Sequence, residues 1–593
     1  MIQPYIEPIP TSKSLVSVFG GYNNSERCDE AEAYDMENLS SDLYPMLSPR
    51  EPRVVFKTLS DIYGMHVNNG LAIVKKVNNE VGFYFDDVKY GVLTGTDERQ
   101  MVSMGAYIVV WPDKIRFNTN DKTYESLSSE WTGAVSFQMC KLDGTAITPT
   151  VSNTAPTSPT VGQYWLDTSV DPNVLKVWAA SQGRWEAVAT SYTKMSGTNI
   201  GKNFGKMDVV KISGVTGTYA DTFNQDMAIW DKTDDSIIVT ALIANTFSCQ
   251  NVTLKREPPD MDYICEHGNR IWGCSSANHE IYASKLGDAT NWRSYIGTAA
   301  DSYAVTVGSD GDFTGCAEHG GSVVFFKERY IHKLYGSYPS NYQLDTKPER
   351  GVQKGSHASV RLLGGSLFYL SPDGVCVYDG SFPRLVGGKL GTVLYDNGVA
   401  GTHGDKYYLH MRNTATNVYG LYVYDSGKNL WHIEDKGKSF KFFVEYKRRL
   451  MFYTGTAIVA EGRETKIDST TYTQDTSPSW QYTSGIIGLE QWANGTAPQL
   501  RKYVSQFLFR FALEMGTELW VDLMYDSSGE WEERVHIVNK YENDRRNTAG
   551  YTKLRTYELP VVPRRCDHMR IRIRGKGMAK IFSIGKTMEQ GGL

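Results

Sequence analysis

The sequence predicts an all-β chain: a β-propeller of about seven blades, interrupted by a small β-module or barrel region and followed by a β-sandwich. Three observations lead there. No long stretch carries helical periodicity. Gly and Tyr are abundant, at 55 and 37 of 593 residues, which suits short strands joined by tight turns, because Gly adopts positive φ and aromatic rings fit pleated surfaces. A weak repeat of turn, apolar strand, turn and Tyr/Val-rich strand recurs roughly every 35 to 52 residues, with one long gap after Asp121.

The clearest copy is LLGGSLFYLSPDGVCVYDG at 362–380. Asp373 and Gly374 are expected at the two central positions of a hairpin turn, where positive φ is required. Val375, Val377 and Asp379 then alternate with Cys376, Tyr378 and Gly380, the two-residue period of a strand. Related units lie at 70–87, 106–121, 269–288, 320–337, 405–427 and 448–462. Their spacing suits one four-stranded blade per repeat.

A chain of 593 residues exceeds what one hydrophobic core serves. The expected divisions are an N-terminal arm or first strands at 1–52, first blades at 53–121, inserted small β-domains at 122–260, remaining blades at 261–463, a linker at 464–479, and a sandwich at 480–593. Within the insertion, Trp165, Trp178 and Trp185 fall on short strands, and 205–255 reads as a small barrel. In the C-terminal segment Leu519, Val521, Leu523 and Tyr525 share one face of a half-exposed antiparallel strand.

Formal net charge is −5 with no basic run, which argues against a dedicated DNA-binding surface. The eight cysteines are scattered without a C-x-x-C pair and are expected to be reduced and mostly buried. No stretch approaches the ~20 apolar residues of a membrane span, and the N-terminus lacks a secretory pattern, so synthesis in a cytoplasm is expected.

The search for chemistry returns structural readings. Glu266-His267-Gly268 and Glu318-His319-Gly320 occupy equivalent positions in adjacent repeats and read as turns rather than metal or acid–base sites. Asp310-Gly311-Asp312 resembles part of a calcium loop but lacks the remaining ligands. Arg570, Arg572 and Arg574 alternate with Met569, Ile571 and Ile573, giving a solvent-facing ladder for a neighbouring subunit or for phosphate, with no aromatic platform interleaved. Trp165, Trp178 and Trp185 are candidate glycan contacts, although the expected role of such bulky residues in so small a module is to fill its core. No phosphate loop, nucleophile elbow or zinc spacing is present. The expectation is a protein with no catalytic residues, no metal and no cofactor, and not an enzyme. A glycosidase's carboxylates need not be neighbours in sequence, so a propeller glycosidase stays as a third reading.

Several phrases resemble a known family, the tail nozzle or hub ("packaged-DNA stabilisation") proteins of short-tailed bacteriophages. They are NRIWGCSSANHEIYASKLGDATNW at 269–292, DSYAVTVGSDGDFTG at 301–315 and VVFFKERYIHKLYG at 323–336. The opening segment 19–51 and the closing segment 563–585 are similar to the family's as well. The resemblance implies a virion structural protein made in the host bacterial cytoplasm. It would form a ring, usually a hexamer, below the portal and its adaptor. The ring would extend the DNA channel, retain the packaged genome, conduct it non-specifically at ejection, and meet tail fibre or spike proteins. The alternative is a receptor- or glycan-binding tail appendage that uses the Trp-rich insertion.

Overall fold

A computed structural model describes residues 11–467, 469–475, 478–489, 501–539, 554–559 and 561–590. The first ten residues of the expected N-terminal arm, and parts of the expected linker and C-terminal segment, lie outside the described residues. Among the described residues there are 53 strands, three short 3-10 turns and one α-helix, the four-residue Ala220–Phe223. Pairing is antiparallel almost throughout, an exception being Thr150–Ser152 beside Tyr164–Asp167. The all-β expectation therefore holds. The chain divides into two compact units, Met1–Glu98 with Val324–His332 and Thr346–Leu593, and Arg99–Val323 with Lys333–Asp345.

In the first unit, three sheets are four-stranded meanders that run Ile62–Val67 to Val88–Leu93, Arg361–Leu363 to Pro383–Leu385, and Tyr395–His403 to Leu430–Lys436. A fourth sheet is composite. Lys441–Tyr446, Arg449–Tyr453 and Ala457–Ala460 take their next strand from far upstream, Val54–Thr58. Val55 faces Val459 and Val54 faces Ala460. Val54, Met451, Ile458 and Ala460 have no exposed surface and share one core, so the pairing is sealed by apolar burial as well as by the ladder.

The repeat at 362–380 shows how the meanders are made. Ser366–Ser371 and Gly374–Tyr378 pair so that Ser371 faces Gly374, which leaves Pro372 and Asp373 as the two loop residues. The expected Asp373-Gly374 turn is thus displaced by one residue, and only Gly374 has positive φ, at +123°. Pro372 explains the shift, because its fixed negative φ suits the first central position of an ordinary turn and excludes the mirror-image turn that Asp-Gly would make. The expected alternation is also masked: Val375, Cys376, Val377 and Tyr378 are all buried. Strands covered on both faces have no solvent side to mark with polar residues.

Two further large sheets belong to this unit. One has the order Thr11–Val16, Ala579–Gln590, Lys502–Leu513, Arg555–Leu559; the other has Ala33–Glu37, Ser479–Ser484, Met569–Lys576, Glu518–Tyr525, Glu532–Val538. Phe507, Phe509 and Ile581 from the first share a core with Leu519, Val521, Ile571 and Ile573 from the second. The N-terminal arm supplies an edge strand to each sheet.

The second unit holds two more meanders, Gln100–Met104 to Tyr124–Ser126 and Tyr263–His267 to Tyr303–Thr306. Between them in sequence come a seven-stranded sheet, running from Ser129–Cys140 to Phe247–Arg256, and a small four-stranded sheet spanning Thr150–Ser152 to Arg184–Ala187. Four more strands in succession, Phe313–His319, Ser322–Lys327, Tyr330–Tyr335 and Gln343–Lys347, are divided between the units.

Ser129 lies directly opposite Arg256, so the inserted segment enters and leaves through one antiparallel pair. Replacing 130–255 with a short Gly/Ser linker is therefore expected to leave a soluble protein with a cooperative thermal transition, because the ends already meet. Loss of the cooperative transition in calorimetry would contradict this boundary.

Candidate functional site

Three constellations concentrate functional side chains. In the small sheet of the second unit, Trp165 faces Lys176 across one strand pair and Trp178 faces Trp185 across the next. The two-residue period puts these four side chains on one face and Tyr164, Leu166 and Leu175 on the other. Leu166 and Leu175 are buried in the core of the seven-stranded sheet, with Tyr164 packed against it. Leu166 and Leu175 therefore fill the module's core from this aliphatic face. Of the three indoles expected there, Trp165 is buried, whereas Trp178 and Trp185 stay half-exposed on the opposite face.

Trp185 stands edge-to-face between the other two, its ring centroid 5.4 Å from Trp165 and 5.5 Å from Trp178. Trp165 is buried and donates its indole N–H to the Ser152 carbonyl at 3.1 Å. Lys176 Nζ lies 4.8 Å from the Trp165 ring and 2.8 Å from Asp167 Oδ2. Hydrogen bonds from Lys176 and Ser169 hold the Asp167 carboxyl at about 2, below the ordinary carboxylate range. Trp178 and Trp185 are half-buried, and neither indole N–H meets an acceptor among the described residues.

The second constellation is the arginine ladder on Met569–Lys576. Met569, Ile571 and Ile573 point into the core as expected. Arg570, Arg572 and Arg574 occupy the other face, but they are not free. Arg572 Nε and Arg574 Nε both donate to Asp522 Oδ2, at 2.8 and 2.7 Å, and Arg574 Nη2 donates to Oδ1 at 2.9 Å. The guanidinium of Arg570 sits 3.7 Å above the Tyr34 ring, and that of Arg572 lies 4.4 Å from Trp531. Trp520 stacks on His536 at 4.5 Å, beside Arg574. The expectation of no interleaved aromatics is thus corrected: the rings arrive from other strands. Burial pushes the Asp522 carboxyl up, yet the hydrogen bonds from Arg574 and Arg572 outweigh it and leave it below its ordinary range.

The third was not visible in the sequence. Arg50 and Arg53 reach into a buried network around Leu430–Lys436. Arg50 Nη2 lies 3.3 Å from Asp435 Oδ1, Arg53 pairs with Asp435, and Arg53 Nη2 lies 3.2 Å from Glu434 Oε2. Lys406 Nζ donates to Asp42 Oδ1 at 2.5 Å and Ser40 Oγ at 3.1 Å. Tyr408 donates its hydroxyl to Glu461. Burial raises both Glu434 and Glu461, helped by the nearby charge of Glu461 and Asp42 on Glu434 and of Asp42 on Glu461. With Arg50, Arg53, Lys406, Glu434 and Asp435 buried and only Asp42 at the surface, these groups make a structural network rather than an open active site.

Other candidates resolve simply. Glu266 accepts the backbone N–H of Asn269, and Glu318 that of Gly321, so each E-H-G caps a hairpin turn. Asp310 and Gly311 fall in a bend before Phe313–His319. Among the described residues no group of three or more His, Cys, Asp or Glu is arranged to hold a metal ion, and all eight cysteines are free thiols. A shallow cleft of about 30 Å³ is lined by Lys211, Lys255, Arg256, Arg293 and Trp292, but three of its cations pair with Glu257, Asp208 and Asp226. No helix among the described residues is long and apolar enough to cross a membrane.

No protein-family model and no curated protein matches the chain. Among solved structures, BamB from Moraxella catarrhalis is 10% identical, with a TM-score of 0.29 over 70% of this chain and 96% of its own. A catalytically inactive virginiamycin B lyase from Staphylococcus aureus, solved with quinupristin, is 11% identical, with a TM-score of 0.20 over 44% of this chain and 96% of its own. Scores this low carry no argument about the fold or the function of this chain.

Two outcomes follow from the charged constellations. Asp522→Ala strands two guanidiniums and is expected to cost about 1–3 kcal/mol in urea denaturation. Arg570→Ala, losing mainly its stack on Tyr34, is expected to cost about 1 kcal/mol or less. Equal losses would contradict this ranking. The raised carboxyls bind protons more tightly in the folded state. Their contribution is therefore fully present below the ordinary glutamate value of 4.5 and is lost as pH rises through the folded-state value, which for Glu434 is about 7, by up to about 1.4 kcal/mol per pH unit for each proton. Glu434→Gln is expected to flatten that slope in denaturation series between about pH 4.5 and 8; an unchanged slope would contradict the assignment.

Proposed function

We propose that this chain is a non-catalytic structural protein of a short-tailed phage tail, a nozzle or hub subunit. It acts in an oligomeric ring, a hexamer in the family it resembles, beneath the portal and its adaptor. There it extends the DNA channel, helps retain the packaged genome, conducts it at ejection, and offers attachment to fibres or spikes. The observation that carries the reading is the pairing of Val54–Thr58 with Ala457–Ala460. With it the chain contains seven strand sets in succession: the composite sheet, with the short Thr473–Gln474 as its fifth strand, and the four-stranded 62–93, 100–126, 263–306, 313–347, 361–385 and 395–436. Seven sets with a shared first-and-last sheet support a seven-bladed propeller, closed so that no long sheet edge is left free. The two C-terminal sheets with their common core support a β-sandwich appended to it. The phage assignment itself rests on the sequence phrases at 19–51, 269–336 and 563–585.

The charge balance fits a conduit. Each Lys or Arg contact to phosphate adds affinity, so a basic lumen would brake the genome. With a net charge of −5 and its arginine ladder engaged by Asp522, the chain lacks an obvious brake. Negative-stain imaging of the purified protein and of the virion is expected to show an oligomeric ring on the tail axis. A gel shift with linear duplex at physiological salt is expected to show association no tighter than about 10⁻⁴ to 10⁻⁶ M. A peripheral projection in the virion, or nanomolar sequence-dependent binding, would overturn the reading.

A further inference from the structure

We propose that the Trp178–Trp185 face of the small inserted sheet is a binding site for neutral hexopyranose units of a polysaccharide. The inference is independent of the ring reading and stands or falls without it.

The core of this module is already filled by Leu166 and Leu175 on the opposite face. Deeply buried indoles elsewhere in the chain, those of Trp111, Trp272, Trp292, Trp431 and Trp480, each donate to a backbone carbonyl. A buried donor must be satisfied in this way. Trp178 and Trp185 have no such acceptor among the described residues and stay half-exposed. They form an edge-to-face pair with ring centroids 5.5 Å apart, which leaves a half-exposed apolar ring surface beside two unused N–H donors. A pyranose ring matches that pairing, because its C–H face lies against aromatic carbon while its hydroxyls accept hydrogen bonds.

Charge narrows the class. The cation on this face, Lys176, is already bound to Asp167 at 2.8 Å. Arg184 and Glu186 fall on the opposite side of the strand from Trp185 and pair with each other. With no uncompensated charge to recognise a carboxylate or phosphate, a neutral sugar is the ligand that fits. Size argues against a protein partner. The strands here are three to six residues long, so the face measures about 300 Å² at the usual strand rise and spacing. A stable protein interface needs about 800 Å² from each side.

The test uses the full-length protein on an array of neutral gluco-, galacto-, manno- and N-acetylglucosamine oligosaccharides, with uronic and sialic acid oligosaccharides as a separate arm. Retention of at least one neutral series is expected, reduced at least tenfold by Trp178→Ala and by Trp185→Ala. Trp520→Ala, a half-exposed indole of the other unit, should leave retention unchanged. Trp178→Phe keeps a ring but removes the N–H donor and should give a smaller loss with an unchanged melting temperature, which separates recognition from folding. No retention of any neutral series, retention confined to the acidic arm, or binding that survives both alanine variants would each overturn the proposal.

Discussion

Val54 and Val55 lie opposite Ala460 and Val459, although about 400 residues of chain separate the two strands. Everything in the first unit follows from that meeting. Closing so long a loop is entropically unfavourable, and no local turn sets the register. The register is instead fixed by burial on both faces: Val54, Ile458 and Ala460 lie in one core, Ala457 and Val459 lie in another with Val55 packed against it, and a one-residue slip would exchange the two sets. Thr473–Gln474 then covers the other side of Val54 and Val55, so the strand is not left as a sheet edge.

The N-terminal segment between residues 38 and 53 is held by a second device, its charges. Arg50 and Arg53 are buried against Asp435 and Glu434, and Asp42 receives Lys406. Such pairs seldom add net stability over apolar packing, because desolvation offsets their attraction. Removing one partner is another matter, since the remaining charge is left stranded indoors at a cost of about 3–5 kcal/mol. The network thus discriminates between docked and misdocked arrangements of the arm more than it strengthens the docked one.

Much of the fold was legible in the sequence, because strands declare themselves locally. The turn-strand-turn-strand repeats and the Leu519-Val521-Leu523-Tyr525 face are where the spacing placed them. What was illegible depends on partners remote in sequence. Pro372 displaced the turn assigned to Asp373 and Gly374, a local signal that outranked Asp-Gly and could have been used. The aromatic partners of Arg570 and Arg572 lie at Tyr34 and Trp531, so a reading confined to residues 563–585 could not find them. The Trp-rich module was misjudged for a related reason. Its core is completed by a neighbouring sheet, so Leu166 and Leu175 suffice as filling there, and Trp178 and Trp185 stay half-exposed on the other face while Trp165 is buried.

The proposed propeller depends on the pairing of two strands far apart in the chain, Val54–Thr58 and Ala457–Ala460. Native-state hydrogen exchange resolved to individual strands tests this most directly. The amides of Val54–Thr58 and Ala457–Ala460 are expected to exchange together, in the slowest class, with the same steep dependence on denaturant as global unfolding. Early exchange of Val54–Thr58 on its own, with a shallow dependence while Ala457–Ala460 stays protected, would contradict the closure.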